Sequence, residues 1–233
     1  MGLPVRDDLR HAHEQAWGAL GRPDSSWTGA QRVELAGTVL RSLADTSPLP
    51  PWVPPSVGGG VIPPAPAAPP LAHDVVYRVG RHAATLTRAW YDEVIAGLAE
   101  WFGDTESAEV AYVELVALTA QVAAIRSFRR GTGTEVPPLP HPEDGPPTQR
   151  RAIHLERARL NWVPVAAPAD ERAAVVQAFT AVPDTNTRTW AMADAQYMPD
   201  AEMVHPDWTR GPLSRAQMEL VAMTVSRSRE CFY

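Results

Sequence analysis

The chain contains no lysine: all 21 basic residues are arginine, set against 27 acidic ones for a formal charge of −6. That balance argues against a nucleic-acid partner, because phosphate binding draws on clustered positive charge. A single cysteine, Cys231, excludes an internal disulfide framework and any all-cysteine metal site. No run of eighteen apolar residues occurs, and the N-terminal MGLPVRDDLR lacks an apolar signal core, so a soluble, cytoplasmic protein without a membrane partner is expected. Alternating β-branched runs are lacking too. The 233 residues suffice for one medium domain or two small helical ones.

Proline, by contrast, is plentiful. Two stretches, Pro48 to Pro70 and Val136 to Pro147, exclude helix interior and central strand, since proline has no amide donor and clashes with the preceding turn. They read as extended linkers, with a PxxP-type docking peptide as the lesser alternative. Gly58-Gly59-Gly60 follows no strand and precedes no Lys-Ser/Thr, which argues against a phosphate loop. Elsewhere the periodicity is helical. Thr28 with Gln31 and Ser214 with Gln217 have capping-box spacing, and helices are expected at about 73–83, 87–101, 106–130, 169–180, 186–198 and 214–226. The expected fold class is all-α.

Two strings recur in order. Thr87-Arg88-Ala89-Trp90 returns as Thr187-Arg188-Thr189-Trp190, and Glu114-Leu115-Val116-Ala117-Leu118-Thr119 as Glu219-Leu220-Val221-Ala222-Met223-Thr224. Phe128 and Tyr233 fall at matching distances beyond the glutamates. This pattern predicts a duplicated helical unit. Each threonine suits a helix N-cap, with its tryptophan packing one turn in. Glu114 is flanked by apolar residues on nearly every side, so its carboxyl is expected to be buried, with a raised pKa if it lacks a charge partner. Glu219 sits in a similar string.

Glu219-Leu-Val-Ala-Met-Thr-Val-Ser, followed by Glu230-Cys231-Phe232-Tyr233, resembles the core motif of the AhpD-type alkylhydroperoxidases of the carboxymuconolactone decarboxylase-like superfamily. Peroxidase members carry a Glu, twelve residues on a Cys-x-x-Cys, and then a His. The resemblance implies an AhpD-like helical bundle of two related units. The N-terminal helical segment would be 1–46, followed by a linker at 47–71 and a degenerate unit at 72–131. A second linker would cover 132–149, and an incomplete second unit 150–233. It also implies a thiol-dependent hydroperoxide reductase, an antioxidant peroxidase needing no cofactor and no metal. An organic hydroperoxide would be its substrate, a dithiol its electron donor, and a homo-oligomer its assembly. In the family the second Cys attacks the peroxide, the first resolves the sulfenic acid, and Glu and His move protons. Residue by residue, Glu219 takes the proton-relay position and Cys231 the resolving one. The peroxidatic Cys and the His have no counterpart, and Arg126 occupies the position in the first unit that Cys231 holds in the second. Catalysis is therefore expected to be impaired. Coding sequence beyond Tyr233 that supplied a Cys and a His would restore the motif, whereas a true stop codon would remove the family mechanism.

Twelve residues of straight helix rise about 18 Å, too far for Glu219 to reach the thiol, so a break is expected within Ser226-Arg227-Ser228-Arg229-Glu230. A new helix starting at Cys231 would have too few residues to form, and Glu230 and the Tyr233 carboxylate would oppose thiolate formation. Both considerations lead us to expect an unactivated thiol. His11, His13 and Glu14 are too closely spaced to share a helix face as metal ligands and read as solvated residues. His73, His82, His141, His154 and His205 have no second ligand at useful spacing, and Arg126, Arg129 and Arg130 suit a helix C-terminus. The competing functional class is a non-catalytic helical protein that uses the duplicated scaffold for oligomerisation or partner binding.

Overall fold

A computed structural model describes residues 3–49, 62–158, 160–169 and 173–231. The triple glycine 58–60, much of the first proline-rich stretch, Phe232 and Tyr233 lie outside them. The described residues form eight α-helices, a few single turns of 3-10 helix and one two-stranded antiparallel hairpin, an all-α architecture.

The longest helix organises the rest. In chain order the first five are α1 (Asp7–Gly18), α2 (Gly29–Ala44), α3 (Pro70–His82), α4 (Arg88–Phe102) and α5 (Thr105–Gly131). Asp104 caps α5 by accepting from the Ser107 amide at 2.7 Å. Its apolar residues point in every direction, and Ala111, Leu115, Leu118, Val122 and Ile125 enter a common core with Leu35, Val39, Val75, Val76, Val94 and Leu98 of the surrounding helices. Burying each such Leu, Ile or Val contributes about 1.5–3 kcal/mol, which anchors a helix far better than propensity does. Among the described residues α5 alone is long and apolar enough to cross a membrane, and 78% of that stretch is buried inside the fold. Its apolarity is accounted for by the core.

The caps at Thr28 and Ser214 form as full capping boxes, and Thr87 accepts from the Trp90 amide. Thr187 departs from its expected role. The helix α7 (Pro183–Gln196) begins four residues earlier, because Pro183 presets the first-turn dihedral, and the Thr187 hydroxyl instead donates to the Pro183 carbonyl at 3.0 Å. The helix expected over 169–180 shrinks to one turn, α6 (Ala174–Gln177). Beyond it Thr180 Oγ1 accepts from the Ala166 amide, and Ala181 and Val182 bury against Val110 and Val113 of α5, so the chain is drawn inward instead of continuing as helix. The hairpin pairs β1 (Leu155–Arg157) with β2 (Pro164–Ala166), two short strands not expected from the sequence.

The segment Val136 to Pro147 is extended but is not a free spacer. Trp17 Nε1 donates to the Pro138 carbonyl at 2.9 Å. The amides of Glu143, Thr148 and Gln149 donate to the carbonyls of Gly21, Asp24 and Ser25. A side chain at Gly21 would meet the His141 carbonyl at 2.5 Å, so the strap and the loop before α2 approach as only glycine allows. The end of the first proline-rich stretch is tied down as well: Glu34 accepts from the amides of Ala67 and Ala68 and pairs with His73 Nε2 at 2.8 Å. His13, read as solvated, is buried. It lies on the inward stripe of α1 with Leu9, Ala16 and Trp17, edge-on to Phe128 and hydrogen-bonded to Gln196.

A charged network ties these parts together. Arg32 of α2 reaches Glu114 Oε1 of α5 at 2.5 Å and Asp24 Oδ2 at 3.1 Å. Glu114 also accepts from the Ser26 amide at 2.8 Å, while Asp24 accepts from the Thr185 hydroxyl at 2.7 Å and from Arg188 of α7. Removing one partner strands the others in a low-dielectric interior. Arg32→Met is therefore expected to lower unfolding stability by about 3–5 kcal/mol, measured by denaturant titration. A loss below about 1 kcal/mol would show the network to be dispensable.

Candidate functional site

The last helix, α8 (Arg215–Ser228), carries Glu219 and leads to Cys231. Its apolar residues spread around the helix instead of forming a stripe, and it contributes no buried residue: Leu220, Val221, Met223 and Val225 are each more than half exposed. Glu219 is held from two directions. Arg215 Nε, one turn earlier, donates to Glu219 Oε1 at 2.5 Å. The Tyr197 hydroxyl, from the loop after α7, donates to the same carboxylate. That bond, followed by the Arg215 guanidinium, holds the Glu219 carboxyl below its ordinary range against a small desolvation penalty. Tyr197 moves the other way, pushed up to about 12 by desolvation and by the Glu219 charge. The pair therefore consists of a carboxylate and a neutral phenol at neutral pH.

The helix ends within the polar run. Arg229 terminates it and Glu230 takes a left-handed conformation, with φ +53°. The Glu230 amide bonds the Arg227 carbonyl at 3.2 Å and the Cys231 amide the Ser226 carbonyl at 2.9 Å. This is a Schellman closure with glutamate in the place that usually falls to glycine, at a backbone cost of about 1–2 kcal/mol. Glu230 Oε2 lies 3.2 Å from His82 Nε2 at the end of α3, which fixes the turn against the body of the protein.

The closure sets how the two site residues are placed. The Cys231 amide turns back onto the Ser226 carbonyl, so the cysteine stays close to the end of α8 instead of being carried onward. Two helical turns bring Ser226 to nearly the same face as Glu219. Glu219 and Cys231 line one cleft of about 980 Å³ together with Ala84, Leu220, Met223 and Arg227. A cleft of that volume leaves room for a molecule beside both carboxylate and thiol. Cys231 is exposed.

Glu114 occupies a different world despite its similar string. It is fully buried, as expected, and its charge partner is Arg32, with the Ser26 amide as a further donor. Burial pushes the Glu114 carboxyl up, and those two groups hold it back. Downstream, α5 continues unbroken through Arg126, because Val122 and Ile125 bury where α8 has its polar run. Glu219 in turn lacks the expected burial, its side chain being 46% exposed. Among the described residues no group of three His, Cys, Asp or Glu is arranged to hold a metal. The sequence reading missed Arg215 and Tyr197. Arg215 could have been found from its four-residue spacing to Glu219, whereas Tyr197 enters only through the tertiary fold.

Tyr197→Phe is expected to raise the Glu219 carboxyl towards its ordinary range, followed by NMR titration of the side-chain carboxyl carbon. A titration midpoint indifferent to the substitution would remove Tyr197 as the cause.

No family model, curated protein or solved structure matches the chain.

Proposed function

We propose that the cleft between Glu219 and Cys231 is a thiol-redox site, and that the chain is a thiol-dependent hydroperoxide reductase of the AhpD type, cytoplasmic and homo-oligomeric. The observation that carries this reading is the shared cleft: two residues twelve apart in sequence line one cavity large enough for a substrate. In the proposed reaction a second thiol, as thiolate, attacks the O–O bond of an organic hydroperoxide. An S–O bond forms, the alcohol leaves and a sulfenic acid remains. The Cys231 thiol then displaces water from that sulfenic acid to form a disulfide, and a dithiol donor returns two electrons and two protons. The ionised Glu219 accepts and relays a proton through water. Cys231 is the sole cysteine here, so the attacking thiol must come from outside these residues and turnover by this chain is expected to be slow.

A specific observation favours a second reading. The exposed Leu220, Val221, Met223 and Val225 suit a helix that covers apolar side chains by assembly, which would make the chain a non-catalytic oligomerisation or partner-binding protein.

Consumption of cumene hydroperoxide with dithiothreitol distinguishes the two. The redox reading expects consumption above the dithiol background, lost in Cys231→Ser and reduced severalfold in Glu219→Gln. Equal consumption by all three proteins overturns it. A chain that consumes no peroxide, yet elutes as an oligomer that Met223→Glu dissociates, establishes the assembly reading instead.

A further inference from the structure

A second cavity, sharing no lining residue with the Cys231 cleft, lies between α5 and the hairpin tip. Its volume is about 310 Å³, and among the described residues no lining side chain is charged. Tyr91 of α4, Tyr112 and Val116 of α5, Trp162 of the tip and Phe179 form its walls. Tyr91 stands edge-on to Tyr112 with ring centroids 5.1 Å apart, and 6.0 Å from Trp162. The tip is held in place, for Arg157 donates to the Trp162 carbonyl and Asn161 to the Ala174 carbonyl.

Two polar details distinguish this space from a packing gap. The Tyr91 hydroxyl is engaged, donating to Glu109 Oε1 at 3.3 Å, and Glu109 in turn pairs with Arg157. Tyr112 is only 6% exposed, and among the described residues its hydroxyl makes no hydrogen bond yet is not one of the fully buried unpaired polar atoms, so it keeps some contact with open space. A hydroxyl that keeps such contact can take a hydrogen-bond partner from outside the chain. Meanwhile Trp162 and Leu160, at the mouth, are 38% and 72% exposed, an apolar rim facing water above an apolar chamber. A cavity of about 150 Å³ lined by aliphatic and aromatic groups takes benzene. This one has about twice that volume and adds one hydrogen-bonding group.

We infer that this cavity is a binding site for a small neutral monocyclic aromatic molecule whose oxygen substituent hydrogen-bonds the Tyr112 hydroxyl. The aromatic walls offer edge-to-face contacts to a ring. The described lining offers an ion no counter-charge for its lost hydration, which favours a neutral ligand. Burial and the neighbouring Tyr91 push the Tyr112 phenol up, so it stays a neutral donor throughout the physiological range.

The test uses p-cresol and toluene as probes of the full chain, with binding followed by ligand-observed NMR titration. Wild type is expected to bind p-cresol saturably and more tightly than toluene. Tyr112→Phe should weaken p-cresol about tenfold and leave toluene unchanged, since only the hydrogen bond is lost. Val116→Phe and Ala178→Leu each fill the chamber and should abolish binding of both probes, with circular dichroism confirming the fold. If one filling variant does not fold, the other decides. Absence of saturable p-cresol binding by wild type overturns the inference. So does p-cresol binding that survives in a folded cavity-filling variant or is indifferent to Tyr112→Phe.

Discussion

The Arg32–Glu114 contact is the constraint around which this fold closes. Neither charge is exposed, and each alone would cost several kcal/mol to bury. Both are therefore admissible only when the loop before α2, helix α5 and helix α7 arrive together, with Asp24, Ser26, Thr185 and Arg188 completing the set. Two carboxylates face two guanidiniums, so the group is neutral as a whole. Hydrophobic burial alone would tolerate sliding or rotation of α5 against α2. The ion pair fixes one register. The proline-rich strap depends on the same arrangement, because the carbonyls it grips at Asp24 and Ser25 belong to the residues whose side chains and amides enter the network.

The two glutamate strings show how little a local motif decides. Glu-Leu-Val-Ala occurs in both α5 and α8, yet one carboxyl is sealed against arginine in the core and the other sits in an open cleft. The difference lies outside the strings. Upstream, Ala108, Val110, Ala111 and Val113 commit α5 to burial on all sides, whereas α8 opens with Arg215, Ala216 and Gln217. Downstream, an apolar continuation keeps α5 straight, and a run of serines and arginines lets α8 terminate. Opposite pKa directions follow from that contrast: desolvation dominates at Glu114, and a phenol hydrogen bond dominates at Glu219.

Much of the fold was legible before the structure because it rests on short-range rules. The capping boxes at Thr28 and Ser214, the central place of α5, and the helix end before Cys231 all follow from residues within one or two turns of each other. What could not be read depends on contacts between distant segments. Pro183 overrides Thr187 as a helix start, Ala181 and Val182 are drawn into a cluster with α5, and His13 turns inward because Phe128 and Gln196 receive it. The site divides along the same line. Glu219 and Cys231 were evident as residues and their helix break as a geometric need, but the partner that tunes the carboxylate, Tyr197, arrives from another element.

The redox and assembly readings of α8 are physically coupled, because they use the same surface. Leu220 and Met223 line the same cleft as Glu219 and Cys231 and are also among the exposed apolar side chains of α8. An open cleft leaves the thiol and the carboxylate in water, where charge interactions are screened and a proton is readily exchanged with solvent. Covering those apolar side chains would dry the cleft, strengthen the hold of Arg215 and Tyr197 on Glu219, and confine any proton relay to the space between the two residues. The cleft of about 980 Å³ that both residues line is large enough to hold a substrate in that enclosed state. Assembly through α8 and chemistry beside it, as proposed, would then both follow from one arrangement: a helix whose apolar residues stay exposed among the described residues.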